Sequence, residues 1–165
     1  MIDLWPKIES KELITPVTIL RQQASLLGKK TKNILEAEIR DVKDDSGSDS
    51  DFHYAFYIIA TALGFYRYKI MEIHYSMDLN PVRIEVEKSI YIELEKCEEL
   101  KSPNIKFAQQ DRGSWANSIE VNSEKDFFEV LKAIFGSNKV LRVISVLLAQ
   151  SDSSYDPSLK EETQQ

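Results

Sequence analysis

The stretch VRIEVEKSIYIELE, Val82 to Glu95, carries the clearest pattern in the chain. Val82, Ile84, Val86, Ile90, Ile92 and Leu94 share one parity, while Arg83, Glu85, Glu87, Glu93 and Glu95 share the other. Side chains alternate across a β-strand, so this spacing predicts a half-buried strand with one apolar and one glutamate-rich face. Fourteen residues of unbroken extension exceed usual strand lengths. The run is therefore one long strand, or two joined by a bend near Lys88-Ser89.

Other strands are expected upstream of it. Ile34 to Val42 alternates Leu35, Ala37 and Ile39 with Glu36, Glu38 and Arg40. The polar run DDSGSDSD, Asp44 to Asp51, follows as a mobile loop. FHYAFYIIATALGFY then has apolar or aromatic residues on both faces, as a central strand covered on two sides would. After Gly64 a strand runs from Phe65 to about Tyr75. Its inward phase moves from Tyr66, Tyr68 and Ile70 to Met71, Ile73 and Tyr75, a slip that predicts a β-bulge or sharp twist at Ile70-Met71. A turn through Asp78, Asn80 and Pro81 leads into Val82. Residues 96–122 are less regular, with a short strand expected at Ser118 to Val121.

Helices flank this block. Thr15 as N-cap and Pro16 at the first helical position open one carrying Val17, Leu20, Ala24 and Leu27, with Gly28 as its stop. Ser123 and Asp126 form a capping box with a shorter acid ahead of Phe127, Val130, Leu131, Ile134 and Phe135, and Gly136 ends that helix. Ser137 caps another, with Val140, Val143, Ile144, Leu147 and Leu148 on one stripe. Strands grouped between helices predict an α+β fold: a single domain over residues 1–150 built on an antiparallel sheet of about four to five strands, with one N-terminal helix and a C-terminal helical hairpin. Residues 151–165 have little to bury and are expected to form a disordered tail.

Composition narrows function. Acidic residues outnumber basic ones 27 to 21, a net charge of -6 that disfavours a polyanionic ligand unless charge is segregated. Cys97 is the only cysteine, so one chain holds no internal disulfide. Its neighbours Glu98 and Glu99 argue for a neutral structural thiol. MIDLWPKIES lacks the pattern of a secretory signal, and the longest weakly polar run, Tyr54 to Tyr66, is short for a membrane span, so a cytoplasmic protein without membrane contact is expected. Leu4 and Trp5 form an apolar arm, expected to dock on the domain, with insertion into a partner as the alternative.

Catalytic motifs are missing. Phosphate-binding loops, dinucleotide fingerprints, the zinc-protease helix and the nucleophile elbow do not occur, and the acidic loop lacks calcium-loop spacing, since His53 stands where the terminal glutamate belongs. No enzyme, catalytic residue, cofactor or metal is therefore expected. His53 and His74, on neighbouring strands, are read as ordinary strand histidines. If they shared a face, they would offer two metal ligands beside Glu72 or Asp51.

GFYRYKI, Gly64 to Ile70, departs from the base-stacking strand of RNA-recognition motifs at Leu63 and Tyr66, so Arg67 and Lys69 are read as a small basic spot. The favoured reading is an acidic protein-binding module, of the neutralising kind that immunity proteins and antitoxins represent. It would act through Trp5, Arg67, Lys69, Glu85, Glu87, Glu93 and Glu95 on a protein partner, with a basic one favoured by charge. A second reading is a nucleic-acid or anionic-ligand binder using Lys29, Lys30, Lys32, Arg67 and Lys69. A third is a metal-dependent enzyme centred on His53 and His74.

Overall fold

A computed structural model describes residues 1–9, 12–42, 52–109 and 117–153. The expected loop at Asp44 to Asp51, and the expected tail from residue 154 onward, lie outside them.

Helix α1, Pro16–Lys30, begins as its sequence requires, with the Thr15 Oγ1 accepting the Thr18 N–H at 3.3 Å and proline in the first turn. It runs past Gly28, because the stop lies further on. The Thr31 N–H bonds the Leu27 carbonyl, and its hydroxyl donates to the same oxygen at 2.9 Å. Lys32 and Asn33 then take left-handed φ values of 53° and 62°, which turn the chain into a strand.

The strands are β1 Leu35–Asp41, β2 Phe52–Ala60, β3 Tyr66–Tyr75, β4 Val82–Val86, β5 Lys106–Ala108 and β6 Asn117–Val121. They form one six-stranded sheet in the order β1-β2-β3-β4-β6-β5, and every neighbouring pair is antiparallel. The expected four to five strands become six because β5 is a three-residue edge element, too short to show a period in sequence.

The larger correction concerns Val82 to Glu95. The strand stops at Val86, and Lys88–Glu95 is a helix, α2. Its buried residues are Ile90, Tyr91 and Leu94, one helical face, while Ile92 is 39% exposed. Ile90 and Leu94 satisfy both a period of two and a spacing of four, so the alternation could not separate the two structures. Tyr91, placed on the polar side by strand parity, packs inward and meets Phe107 edge-on at 5.6 Å.

Helices α3, Glu124–Phe135, and α4, Asn138–Ser153, complete the fold. Ser123 Oγ caps α3 by accepting from the Asp126 N–H at 3.1 Å. Helix α4 extends to Ser153, past the expected start of the tail. The core lies between the helices and one face of the sheet. It joins Val17 and Leu20 of α1, Phe56 and Ile58 of β2, Met71 and Ile73 of β3, Ile84 of β4, Ile90 of α2, Phe127 and Ile134 of α3, and Val140 of α4.

Among the described residues, no helix of the main core lies on the second sheet face. Ala55 and Ile59 are nonetheless buried there, outside the core cluster. In the register Ala55 lies between Arg40 and Glu72, and Ile59 between Glu36 and Arg67. Long charged side chains cover short or apolar neighbours by laying their stems over them. The two-sided apolar pattern of β2 thus reflects one helical layer and one layer of charged side chains.

The phase slip falls where the sequence places it. Phe56 pairs with Met71 and Tyr57 with Lys69, so Ile70 is an extra residue on β3 without an opposite number. Ile70 and Met71 are both buried, at 1% and 0% exposure.

The strand-to-helix boundary is directly testable. Ile90→Ala should cost about 2–5 kcal/mol as a core truncation, and Ile92→Ala less than about 1 kcal/mol, in urea unfolding. Equal losses at both positions would favour a continuous strand.

Candidate functional site

The open sheet face gathers the titratable groups of four strands. His53 on β2 and His74 on β3 are directly opposed, and their rings stack with centroids 3.7 Å apart. Glu72, two residues before His74 and on the same face, is hydrogen-bonded through Oε2 to His53 Nε2 at 2.6 Å. Lys69 Nζ holds its other oxygen, Oε1. On an unbroken strand Lys69 and Glu72 would point to opposite faces; the bulge at Ile70 brings them together.

Across the next pairing, Glu85 of β4 extends the cluster. Its Oε1 lies 3.3 Å from both His74 Nε2 and Arg83 Nη2. His74 Nε2 is buried and, despite that separation, lacks an aligned hydrogen-bond partner. Burial pushes the Glu72 carboxyl up, but the hydrogen bonds from Lys69 and His53 outweigh it and hold Glu72 below the usual carboxylate range. The His74 imidazole is the largest influence on Glu85, which is also held low, against an upward push from burial. Both acids therefore stand as carboxylates at neutral pH.

Toward β1, Glu38 bridges Arg40 at 3.1 Å and Arg67 at 3.3 Å. Arg40 also lies over the Tyr57 ring, 5.7 Å from its centre. The basic spot expected from GFYRYKI is thus met by carboxylates, Arg67 by Glu38 and Lys69 by Glu72. Lys29 and Lys30 sit in the last turn of α1, where cations favour the helix dipole, and Lys32 lies in the turn beyond.

The expected glutamate face disperses. Only Glu85 lies on the open sheet face. Glu87, just past β4, accepts from the Tyr68 hydroxyl at 3.0 Å and the Ser89 hydroxyl at 2.6 Å, with Lys139 3.6 Å away. Glu93, on α2, accepts the Asn138 N–H with both oxygens at 3.0 Å, capping α4 from another helix. Glu95 is exposed on α2. The physical reason is the helix: a turn every 3.6 residues scatters acids that a strand would align.

The arm does not dock. Leu4 is 88% and Trp5 78% exposed, and among the described residues the polar contacts of the arm are local, the Trp5 N–H to Asp3 and Lys7 to Glu9. Cys97 donates to Glu99 Oε2 at 2.9 Å; that hydrogen bond, with burial, pushes its thiol up, away from nucleophilic use. An apolar cleft of about 230 Å³ between α1, α4 and the sheet, lined by Leu26, Leu27, Phe56, Ile70, Leu141 and Ile144, has Lys30 as its one titratable side chain among the described residues.

Glu38, Arg40 and Arg83 belong to the open-face network although nothing in the sequence singled them out; parity marked them only as polar. No helix among the described residues is long and apolar enough to cross a membrane. The chain matches no family model, no curated protein and no solved structure.

Two internal roles can be measured. Burial first, and then the Glu87 carboxylate, push the Tyr68 phenol up to about 12. A phenol raised in this way favours the folded state below the ordinary tyrosine value of about 10, and that contribution is lost as pH rises through about 12. Tyr68→Phe should remove this late step from an ultraviolet phenolate titration, and Glu87→Gln should move it to lower pH. Glu93→Ala should cost about 1 kcal/mol in urea unfolding through loss of the α4 cap.

Proposed function

We propose that this protein is an acidic, non-catalytic protein-binding module of the neutralising kind, as immunity proteins and antitoxins are, and that it grips its partner with the N-terminal arm. The observation that carries this reading is the exposure of Ile2 at 84%, Leu4 at 88%, Trp5 at 78% and Ile8 at 77% within nine residues. Isolated exposed apolar side chains are ordinary, but a contiguous set containing tryptophan marks an interaction segment. Ile2, Leu4 and Ile8 share one parity, so an extended arm presents them together to a groove or a sheet edge.

Charge supports a basic partner. The net charge of -6 steers encounter over distance, whatever the local pairing of individual glutamates. The phosphate-binding alternative has less support, because Arg67 and Lys69 are each engaged by a carboxylate.

The test uses the full chain. A stoichiometric partner should be captured from extracts of the native host at low ionic strength, with affinity falling as salt rises. The Leu4→Ala, Trp5→Ala double variant should bind that partner at least about thirtyfold more weakly, at unchanged thermal stability. Equal capture by wild type and variant, or no stoichiometric partner, would overturn the reading. Light scattering that showed a dimer dissolved by the same substitutions would replace the foreign partner with a second copy.

A further inference from the structure

We infer that His53, Glu72 and His74 form a binding site for a divalent cation of the zinc class on the open face of the sheet. This site is separate from the arm and does not depend on how the arm is used. One ligand atom from each residue can be chosen so that all three lie within 4.8 Å of one another. Metal–nitrogen and metal–oxygen bonds of about 2.0–2.2 Å in tetrahedral geometry place neighbouring donors roughly 3.5 Å apart. The backbone already opposes the two histidines, and rotation of the stacked rings about their side-chain bonds would bring the set to that spacing.

Three observations distinguish this site from two ordinary strand histidines. His74 Nε2 is buried without an aligned hydrogen-bond partner, and coordination would satisfy that orphaned atom. Lys69 holds Glu72 Oε1, leaving Oε2 as a single oriented donor beside His53 Nε2. That is the relation by which outer groups aim a metal-binding carboxylate. The ligand side chains are also mostly buried, at 17%, 14% and 17% exposure for His53, Glu72 and His74, so the ion would be largely shielded.

The donor set selects the ion. Two imidazoles and one carboxylate suit borderline cations such as zinc or cobalt, whereas calcium and magnesium prefer oxygen-only shells. Three protein ligands leave a coordination position for water or for a group from a bound molecule. Glu85 Oε1, 3.3 Å from His74 Nε2, is the nearest further carboxylate in the cluster. On binding, the ion takes the place of the hydrogen bond between His53 and Glu72; a neutral His53 keeps its proton on Nδ1, and an imidazolium gives one proton to solvent.

The experiment uses untagged, chelator-treated full chain carrying Cys97→Ser, which removes the thiol as a competing ligand. Zinc followed by calorimetry should bind at one equivalent and raise the melting temperature, and cobalt should give a visible band without thiolate charge transfer. The chain has only two histidines, so zinc must shift the imidazole resonances of both, a readout that needs no substitution in the site. His53→Gln, His74→Gln and Glu72→Gln should each weaken zinc binding at least about tenfold, and Lys69→Met should weaken it about tenfold by releasing the carboxylate. Unshifted imidazole resonances under saturating zinc would overturn the site. So would one-equivalent binding that survives both histidine substitutions. Calcium or magnesium binding as tightly as zinc would overturn its assignment to the zinc class.

Discussion

The extra residue at Ile70 is the constraint on which both faces of the sheet depend. Between the turn and the bulge, β2 and β3 pair in one register, Ala60 with Tyr66 through Tyr57 with Lys69; beyond it they pair in another, Phe56 with Met71 through His53 with His74. Were the first register continued, His53 would lie opposite Ile73. Burial of both Ile70 and Met71 in the core holds the bulge in place, since either side chain left in water would forfeit roughly 1.5–3 kcal/mol of hydrophobic stabilisation. The core therefore fixes, from the opposite side, which polar groups meet on the open face. The stacked imidazoles and the Lys69–Glu72 pair are both products of that single insertion.

Much of this arrangement was legible in the sequence, for physical reasons that can be named. The slip at Ile70-Met71 showed because strand parity is strict and an inserted residue inverts it. The caps of α1 and α3 showed because threonine and serine satisfy specific backbone donors. Helix α2 was hidden because residues four apart fall on the same face of a strand and of a helix alike, and only Tyr91 and Ile92 discriminate. Strand β5 was hidden because three residues define no period. The histidine pair was half legible: each strand could be read, but opposition depends on register, which turn length and bulge set jointly. Exposure of the arm depends on the shape of the surface beside it, which no local pattern encodes.

The distribution of charge follows the same layering. A sheet with helices on one side must close its other side with something other than a second core. Here carboxylates, cations and imidazoles interleave, Arg40 and Arg67 around Glu38, Lys69 with His53 around Glu72, Arg83 with His74 around Glu85. The layer is close to neutral within itself, so the net acidity of the chain resides largely elsewhere. The outer pairs of Glu38 with Arg40 and Arg67 are exposed enough to contribute little stability individually. Their stems shelter Ala55 and Ile59, and their heads keep a two-sided apolar strand compatible with water.

Helix α2 carries a consequence beyond its place in the core. Its sequence, KSIYIELE, favours extended structure locally through alternating β-branched and aromatic residues, yet the native fold imposes a helix through the burial of Ile90, Tyr91 and Leu94. Local preference and global packing disagree there, a small instance of frustration in an otherwise consistent sequence. In the unfolded chain, Ser89 to Leu94 is the kind of short, weakly charged window that nucleates intermolecular β-structure. Lys88 before it, and Glu93 and Glu95 at its far end, are then gatekeepers against aggregation during folding, a role exercised before any native contact forms.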